Sequence, residues 1–408
     1  MVTSMVVFLI CLAVLAFLAV AFEEVIHINK AKSTLFFGTL AWIILFFWHP
    51  ESETTQHTFS ENILDIASLW LFLFAAMTFV AYLNQHNLIS NVVYRSLPKE
   101  MPQKILPFMI AGFAFVFSSF CDNITTSLVT FALLHSLQLT REQVIKLAIV
   151  AVFSINAGGA AMITGDVTTL MIFNAGKVGV SDLFVIVPAG LASSFLLAAT
   201  MLPGFAGRIT MPAQQISNSN FDKCVALILV LTILATLVIN LFFYMPPLLI
   251  FMFGLSLVFL LASFMNSADE TPIMEYVRKI EFDTLLFFLG ILLIVGMLRE
   301  IGVLSLIPQL YEFTSPIVAN YMMGLSSALI DNVPLTAAVL KAGLDMNLNE
   351  WLGLTFAVGA GGSLLAIGSA AGVLAMSKIE GLSFIAYLRY LPNIFFAFTV
   401  GYLLVIYL

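Results

Sequence analysis

Long apolar runs separated by short polar loops extend along the whole chain, and their lengths predict helices able to cross a lipid bilayer. The first half reads as helices at 2–22, 34–48 and 63–83, followed by an apolar stretch at 105–139 interrupted at Asp122-Asn123. A further stretch at 143–176 is interrupted from Ala157 to Asp166, and a helix at 182–203 follows. The second half repeats the order, with helices at 222–243, 246–265 and 281–299. Next come a stretch at 316–343 interrupted at Asp331-Asn332, one at 351–379 interrupted from Ala360 to Ser369, and a helix at 382–407. Two units, 1–206 and 222–408, are therefore expected, joined by the hydrophilic linker 207–221.

The interruptions are nearly one phrase written twice. Each Asp-Asn pair is followed by a glycine-rich break: Ala157-Gly158-Gly159 leading to Gly165-Asp166, and Ala360-Gly361-Gly362 leading to Gly368-Ser369. Each leg of 105–139 has about 16 residues, roughly 24 Å of helix, which is shorter than a comfortable crossing. The Asp-Asn stretches are therefore expected to turn back as re-entrant hairpins, leaving about five crossings per half. An odd number obliges the halves to insert upside down relative to one another. The expected fold is an all-α polytopic membrane protein of two inverted repeats, each with a broken helix and one re-entrant hairpin.

Basic residues orient this arrangement. With the N-terminus outside, Lys30, Lys32, Arg95, Lys99, Lys104, Arg141, Lys146, Arg208, Lys223, Arg278, Lys279, Lys378 and Arg389 fall on the cytoplasmic side. Lys177, Arg299 and Lys341 fall outside. The loop 49–62, with Glu51, Glu53 and Glu61 and no Lys or Arg, reads as external, and so do both chain termini.

Composition agrees: hydrophobic residues make up 61% and charged ones 10%, so most of the chain cannot face water. The net charge of −7 is confined to loops and adds little, and no basic run suggests nucleic acid. Cys11, Cys121 and Cys224 are scattered without metal spacing and read as free thiols.

Carboxylates within apolar segments are costly unless paired, protonated or bound to a cation. Asp122 and Asp331 sit at the hairpin tips, where Asn123, Thr125 and Asn332 add neutral oxygens of the kind hard cations take. Their alternative role is to cap the helices that follow. Asp166 opens a short segment with Thr168 and Thr169, and its counterpart in the second half is the neutral Ser369. Asn156 precedes the first break and reads either as a ligand or as a packing residue. Asp65, Glu281 and Asp283 read as helix-start residues, and His135 as a structural residue or a pH sensor. The core is expected to hold no Lys or Arg near either hairpin tip, which disfavours anion transport. An intramembrane aspartyl protease also uses two buried acids, but its Gly-x-Gly-Asp phrase is replaced here by Ile163-Thr164-Gly165-Asp166.

In these phrases the chain resembles the NhaD-type sodium/proton antiporters of the ion transporter superfamily. The resemblance is carried by Ser119-Phe120-Cys121-Asp122-Asn123-Ile124-Thr125-Thr126, by Asn156-Ala157-Gly158-Gly159 with Gly165-Asp166-Val167-Thr168-Thr169, and by Asp331-Asn332-Val333-Pro334. Ala76-Met77-Thr78-Phe79 is similar too. The resemblance implies a secondary antiporter rather than an enzyme, exchanging cytoplasmic Na⁺ (or Li⁺) for external H⁺ by an elevator-like movement. It also implies a homodimer in the inner (plasma) membrane that needs no cofactor. Asp122, Asn123, Asn156, Asp166, Thr168, Thr169, Asp331 and Asn332 become ion- or proton-site candidates, with Asp122, Asp166 and Asp331 as the Na⁺ carboxylates. The alternative is a carrier of arsenite or an organic anion on the same scaffold.

Overall fold

The computed structural model describes residues 2–21, 28–48, 52–86, 88, 100–137, 139–210, 219–243, 245–265, 274–278, 280, 282–329 and 331–408. The middle of the linker (211–218), together with Glu51, Arg95, Lys99, Lys279 and Glu281, lies outside the described residues.

Helices α1 (Val2–Ala21), α2 (Lys30–Trp48) and α3 (Glu53–Gln85) open the chain. The first Asp-Asn stretch gives α4 (Leu106–Phe120) and α5 (Asn123–Ser136), and the first broken stretch gives α6 (Arg141–Ala160) and α7 (Val167–Asn174). After α8 (Ile186–Thr200) come α9 (Asn220–Phe243), α10 (Pro247–Met265), the short α11 (Met274–Arg278), and α12 (Phe282–Glu300). Then follow α13 (Leu306–Phe313), α14 (Pro316–Ser326), α15 (Asn332–Lys341), α16 (Leu348–Gly361) and α17 (Ala370–Lys378). The chain ends with α18 (Phe384–Leu388) and α19 (Leu391–Tyr407).

Helices α6 and α16 form the centre and are buried almost throughout. Both begin with a reciprocal cap. Gln143 N–H donates to Thr140 Oγ1 while Thr140 N–H donates to Gln143 Oε1, and Asn347 and Glu350 exchange the same pair of bonds. Each then admits a neighbouring helix closely. Gly158 of α6 lies against the Phe115 carbonyl of α4, and Gly361 of α16 against the Gly324 carbonyl of α14. A Cβ at either glycine would overlap a backbone oxygen, which is why these positions carry none.

Packing is reciprocal between the halves: α6 lies on α16, α8 on α19, α7 on α15, and α17 on α5. The short helix after each break therefore rests on the other half's Asp-Asn stretch. Around this bundle stands an outer layer of α1, α2, α3, α9, α10 and α12, in which α2 pairs with α12 and α3 with both α10 and α12. Trp42 Nε1 donates to the Leu293 carbonyl (2.8 Å) and Asn62 Nδ2 to that of Leu292 (3.2 Å), tying this layer together. It meets the bundle through α12 on α15 and α3 on α7.

Among the described residues, seven helical segments are long and apolar enough to cross a membrane, from Lys30–Trp48 through Phe282–Glu300, and three shorter apolar helices accompany them. Phe36, Phe47, Leu64, Leu227, Val230 and Phe253 point outward from the outer layer, as a lipid surrounding allows. The protein is a helical, polytopic membrane protein.

Several boundaries differ from the sequence expectation. The segment 49–62 is largely not a loop, because α3 starts at Glu53, and Asp65 lies well inside it. Helix α2 starts at Lys30 instead of residue 34, since the Asn29 side chain accepts from Ala31 N–H and provides its first turn with a cap. The expected helix 382–407 is divided into α18 and α19, with Pro392 in the first turn of α19. Helices α11 and α13 lie between predicted helices. A two-stranded antiparallel ladder, β1 (Glu100–Pro102) with β2 (Arg208–Thr210), departs from the all-α expectation and clips the entry to α4 to the start of the linker.

Candidate functional site

Asp166 stands where the two halves meet. After α6 ends at Ala160 the backbone leaves helical geometry until Asp166, whose extended conformation makes it the N-cap of α7. One carboxylate oxygen, Oδ1, accepts from Thr168 N–H (2.9 Å) and from Thr168 Oγ1 (3.0 Å). The other, Oδ2, accepts from Asn123 Nδ2 (3.2 Å) and Asn332 Nδ2 (3.1 Å). Those asparagines are the duplicated ones, and each is the first residue of the helix that follows its aspartate, α5 or α15. The repeated phrase thus delivers two amides to one acid.

The amide orientation has a local cause. Ser118 Oγ donates to Asn123 Oδ1 (2.7 Å), which turns the Asn123 nitrogen toward Asp166. Gly159 makes room, since a Cβ there would sit 2.6 Å from Asn123 Oδ1. Thr164 Oγ1 donates to the Ser119 carbonyl (2.7 Å) and Thr169 Oγ1 to the Ala160 carbonyl (3.1 Å), pinning both ends of the unwound segment.

Asp122 and Asp331 are N-caps: Asp122 Oδ1 accepts from Thr125 N–H (2.9 Å) and Asp331 Oδ1 from Val333 N–H (3.1 Å). Capping and ion contact are compatible, because each carboxylate retains a second oxygen. Asp122 and Asp166 both line a cleft whose lining also includes Phe72, Ala76 and Met77 of α3 and Phe251 of α10. The phrase Ala76-Met77 therefore borders the site. Asn156 Nδ2 donates to Ser369 Oγ (2.9 Å), which in turn caps Gly372 N–H (3.2 Å). Among the described residues, no three His, Cys, Asp or Glu side chains gather into one metal-sized cage. The three aspartates are thus arranged around the amides, not packed into a cluster.

One group went unseen in the sequence. Lys30 Nζ stands 3.7 Å from Asp331 Oδ2, which corrects the expectation that no basic side chain lies near either tip. His135 contacts the Lys378 carbonyl through Nε2 (2.8 Å) where α5 meets α17. Asp65 pairs with Lys341 (2.7 Å), and Asp283 accepts from Asn29 Nδ2 (2.7 Å).

Known proteins resemble the chain over most of its length. The citrate transporter family, CitMHS, matches residues 6–361. The Na⁺/H⁺ antiporter NhaD of Alkalimonas amylolytica is 32% identical, aligned over 97% of this chain and 89% of its own length. The chain belongs to the NhaD antiporters of the CitMHS family. The NhaD antiporter of Vibrio cholerae is 29% identical over 96% of this chain and 89% of its own. Sodium/proton antiporter 1 of Arabidopsis thaliana is 28% identical, covering 94% and 69%. Membership makes the protein a transporter and not an enzyme, which removes the protease alternative.

Proposed function

We propose that the protein exchanges cytoplasmic Na⁺ (or Li⁺) for external protons, with Asp166 as the group on which the two ions alternate. The observation that carries this reading is the convergence of Asn123 and Asn332, one from each half, on Asp166 Oδ2 beside a cleft shared with Asp122. A carboxylate so placed is neutralised by a proton or by a small cation. The amide nitrogens face Asp166 here, so a cation at Oδ2 requires each amide to make a half turn that presents its oxygen. The Ser118 hydroxyl accommodates that turn by exchanging its donor role for an acceptor role.

The two halves then act as inverted repeats with re-entrant hairpins at α4–α5 and α14–α15. The inner bundle slides against the outer layer as an elevator, and a homodimer holds the outer layers fixed in the inner membrane, with both termini external. Crossing is favoured when the site is filled or protonated, because burying an uncompensated charge is expensive.

Everted vesicles energised with a proton gradient provide the test. Adding Na⁺ should dissipate the gradient, with an apparent Na⁺ KM that rises as the pH falls. Asp166→Asn should abolish the response while the protein remains folded. Normal exchange by that variant removes Asp166 from the mechanism.

A second reading follows from the family's description: transport of an organic anion such as citrate. Lys30 beside Asp331 is the observation in its favour. It is outweighed by the acid at the convergence point, which would repel a carboxylate substrate. Citrate uptake independent of Na⁺/H⁺ exchange would reverse this choice.

A further inference from the structure

Asp122 and Asp331 occupy matching tips, yet their electrostatic surroundings differ. Asp122 faces the cleft it shares with Asp166, and among the described residues no basic side chain pairs with it. Asp331 has the Lys30 ammonium beside it.

Lys30 is held from behind by the outer layer. Asn29, just before it, accepts from Ala31 N–H and donates to Asp283 at the start of α12. The ammonium also lies over the Phe287 ring of α12, 4.6 Å from its centroid, a cation–π contact. Asp331 belongs instead to the inner bundle, at the start of α15, which packs on the same α12. The charge pair therefore bridges the two layers at the end of α15 nearest Asp166.

We propose that Lys30 is the fixed counter-charge of Asp331 and sets the cation affinity of the whole site. An ammonium and an alkali cation compete for the same carboxylate, so Lys30 keeps Asp331 from serving as a ligand and leaves transported ions to Asp166 and Asp122. Its positive charge also opposes a second cation at Asp166, to which Asn332, the neighbour of Asp331, is hydrogen-bonded. Lys30 acts through Asp331 and is a positioning residue. The inference rests on the antiport reading of the same site.

The test is Na⁺-dependent proton exchange in everted vesicles at one fixed alkaline pH. It compares the native protein with Lys30→Gln, Lys30→Arg and the double variant Lys30→Gln/Asp331→Asn. Lys30→Gln should lower the apparent Na⁺ KM roughly three- to tenfold with the maximal rate little changed, a modest effect because the pair is partly exposed. Lys30→Arg should match the native KM, and the double variant should return toward it. Stabilisation of the purified variants against heat by added Na⁺ should follow the same order, independently of transport. An unchanged KM in Lys30→Gln, or a fall in maximal rate alone, overturns the proposal in favour of a packing role. Absence of Na⁺-dependent exchange in the native protein defeats the antiport reading itself, so the two failures are distinguishable.

Discussion

At the scale of single residues, two amides on one carboxylate oxygen impose a symmetry that can be measured. Turned to present their oxygens, the two amides each supply a neutral ligand beside Asp166 Oδ2, so Asn123→Ala and Asn332→Ala should each weaken apparent Na⁺ affinity roughly 10- to 100-fold. Because both act on Asp166 Oδ2, the double variant should fall short of the product of the two effects. Na⁺ dependence of exchange across the four proteins checks this, and strict additivity would mean that the amides work on separate ions. Asp166 was legible in the sequence, since an acid after a glycine-rich break in an apolar segment has few other uses. The asparagines were legible as a duplicated pair, but as oxygen donors. Their nitrogens face the acid because a Ser118 hydroxyl orients one of them, a rotamer choice that spacing does not encode. Lys30 was invisible because its partner lies near the other end of the chain, and only the packing of α2 and α15 on α12 brings them together.

At the scale of elements, the central helices depend on their caps and the breaks on missing side chains. Asn347→Ala removes one bond of the reciprocal cap of α16 and should cost about 1 kcal/mol of stability. A lower melting temperature in detergent with exchange retained is the expected result. Gly159→Ala should act differently. Its Cβ must displace the Asn123 amide, and a misplacement of about 1 Å near a reacting centre can reduce rate a hundredfold. Exchange should therefore fall well before stability does, as read by vesicle assay and melting curve together. Element order was largely readable from apolar runs, and the errors share one origin. Apolar patterning marks where a helix meets lipid, not where it stops. Helix α3 continues through the polar residues from Glu53 to Glu61, and α2 begins at a lysine.

At the scale of the whole molecule, an elevator requires the layers to move past one another. Asp65 of α3 and Lys341 of α15 form an ion pair across that boundary. Cysteines in their place, joined by a short thiol cross-linker in a background free of Cys11, Cys121 and Cys224, should arrest exchange, and reductant should restore it. Full activity while cross-linked would mean that the layers do not slide at this boundary. The break between helices at each duplicated Asp-Asn phrase was readable in the sequence. That each half's short helix rests on the other half's Asp-Asn stretch was not, because no repeat states which copy its pieces embrace. This exchange of partners bears on how the protein is made. A nascent chain that has only reached the linker holds Asp166 with Asn123 alone, and α7 still waits for α15. The candidate site is assembled only late in translation, so a product truncated midway should insert into the bilayer without becoming a leak for protons.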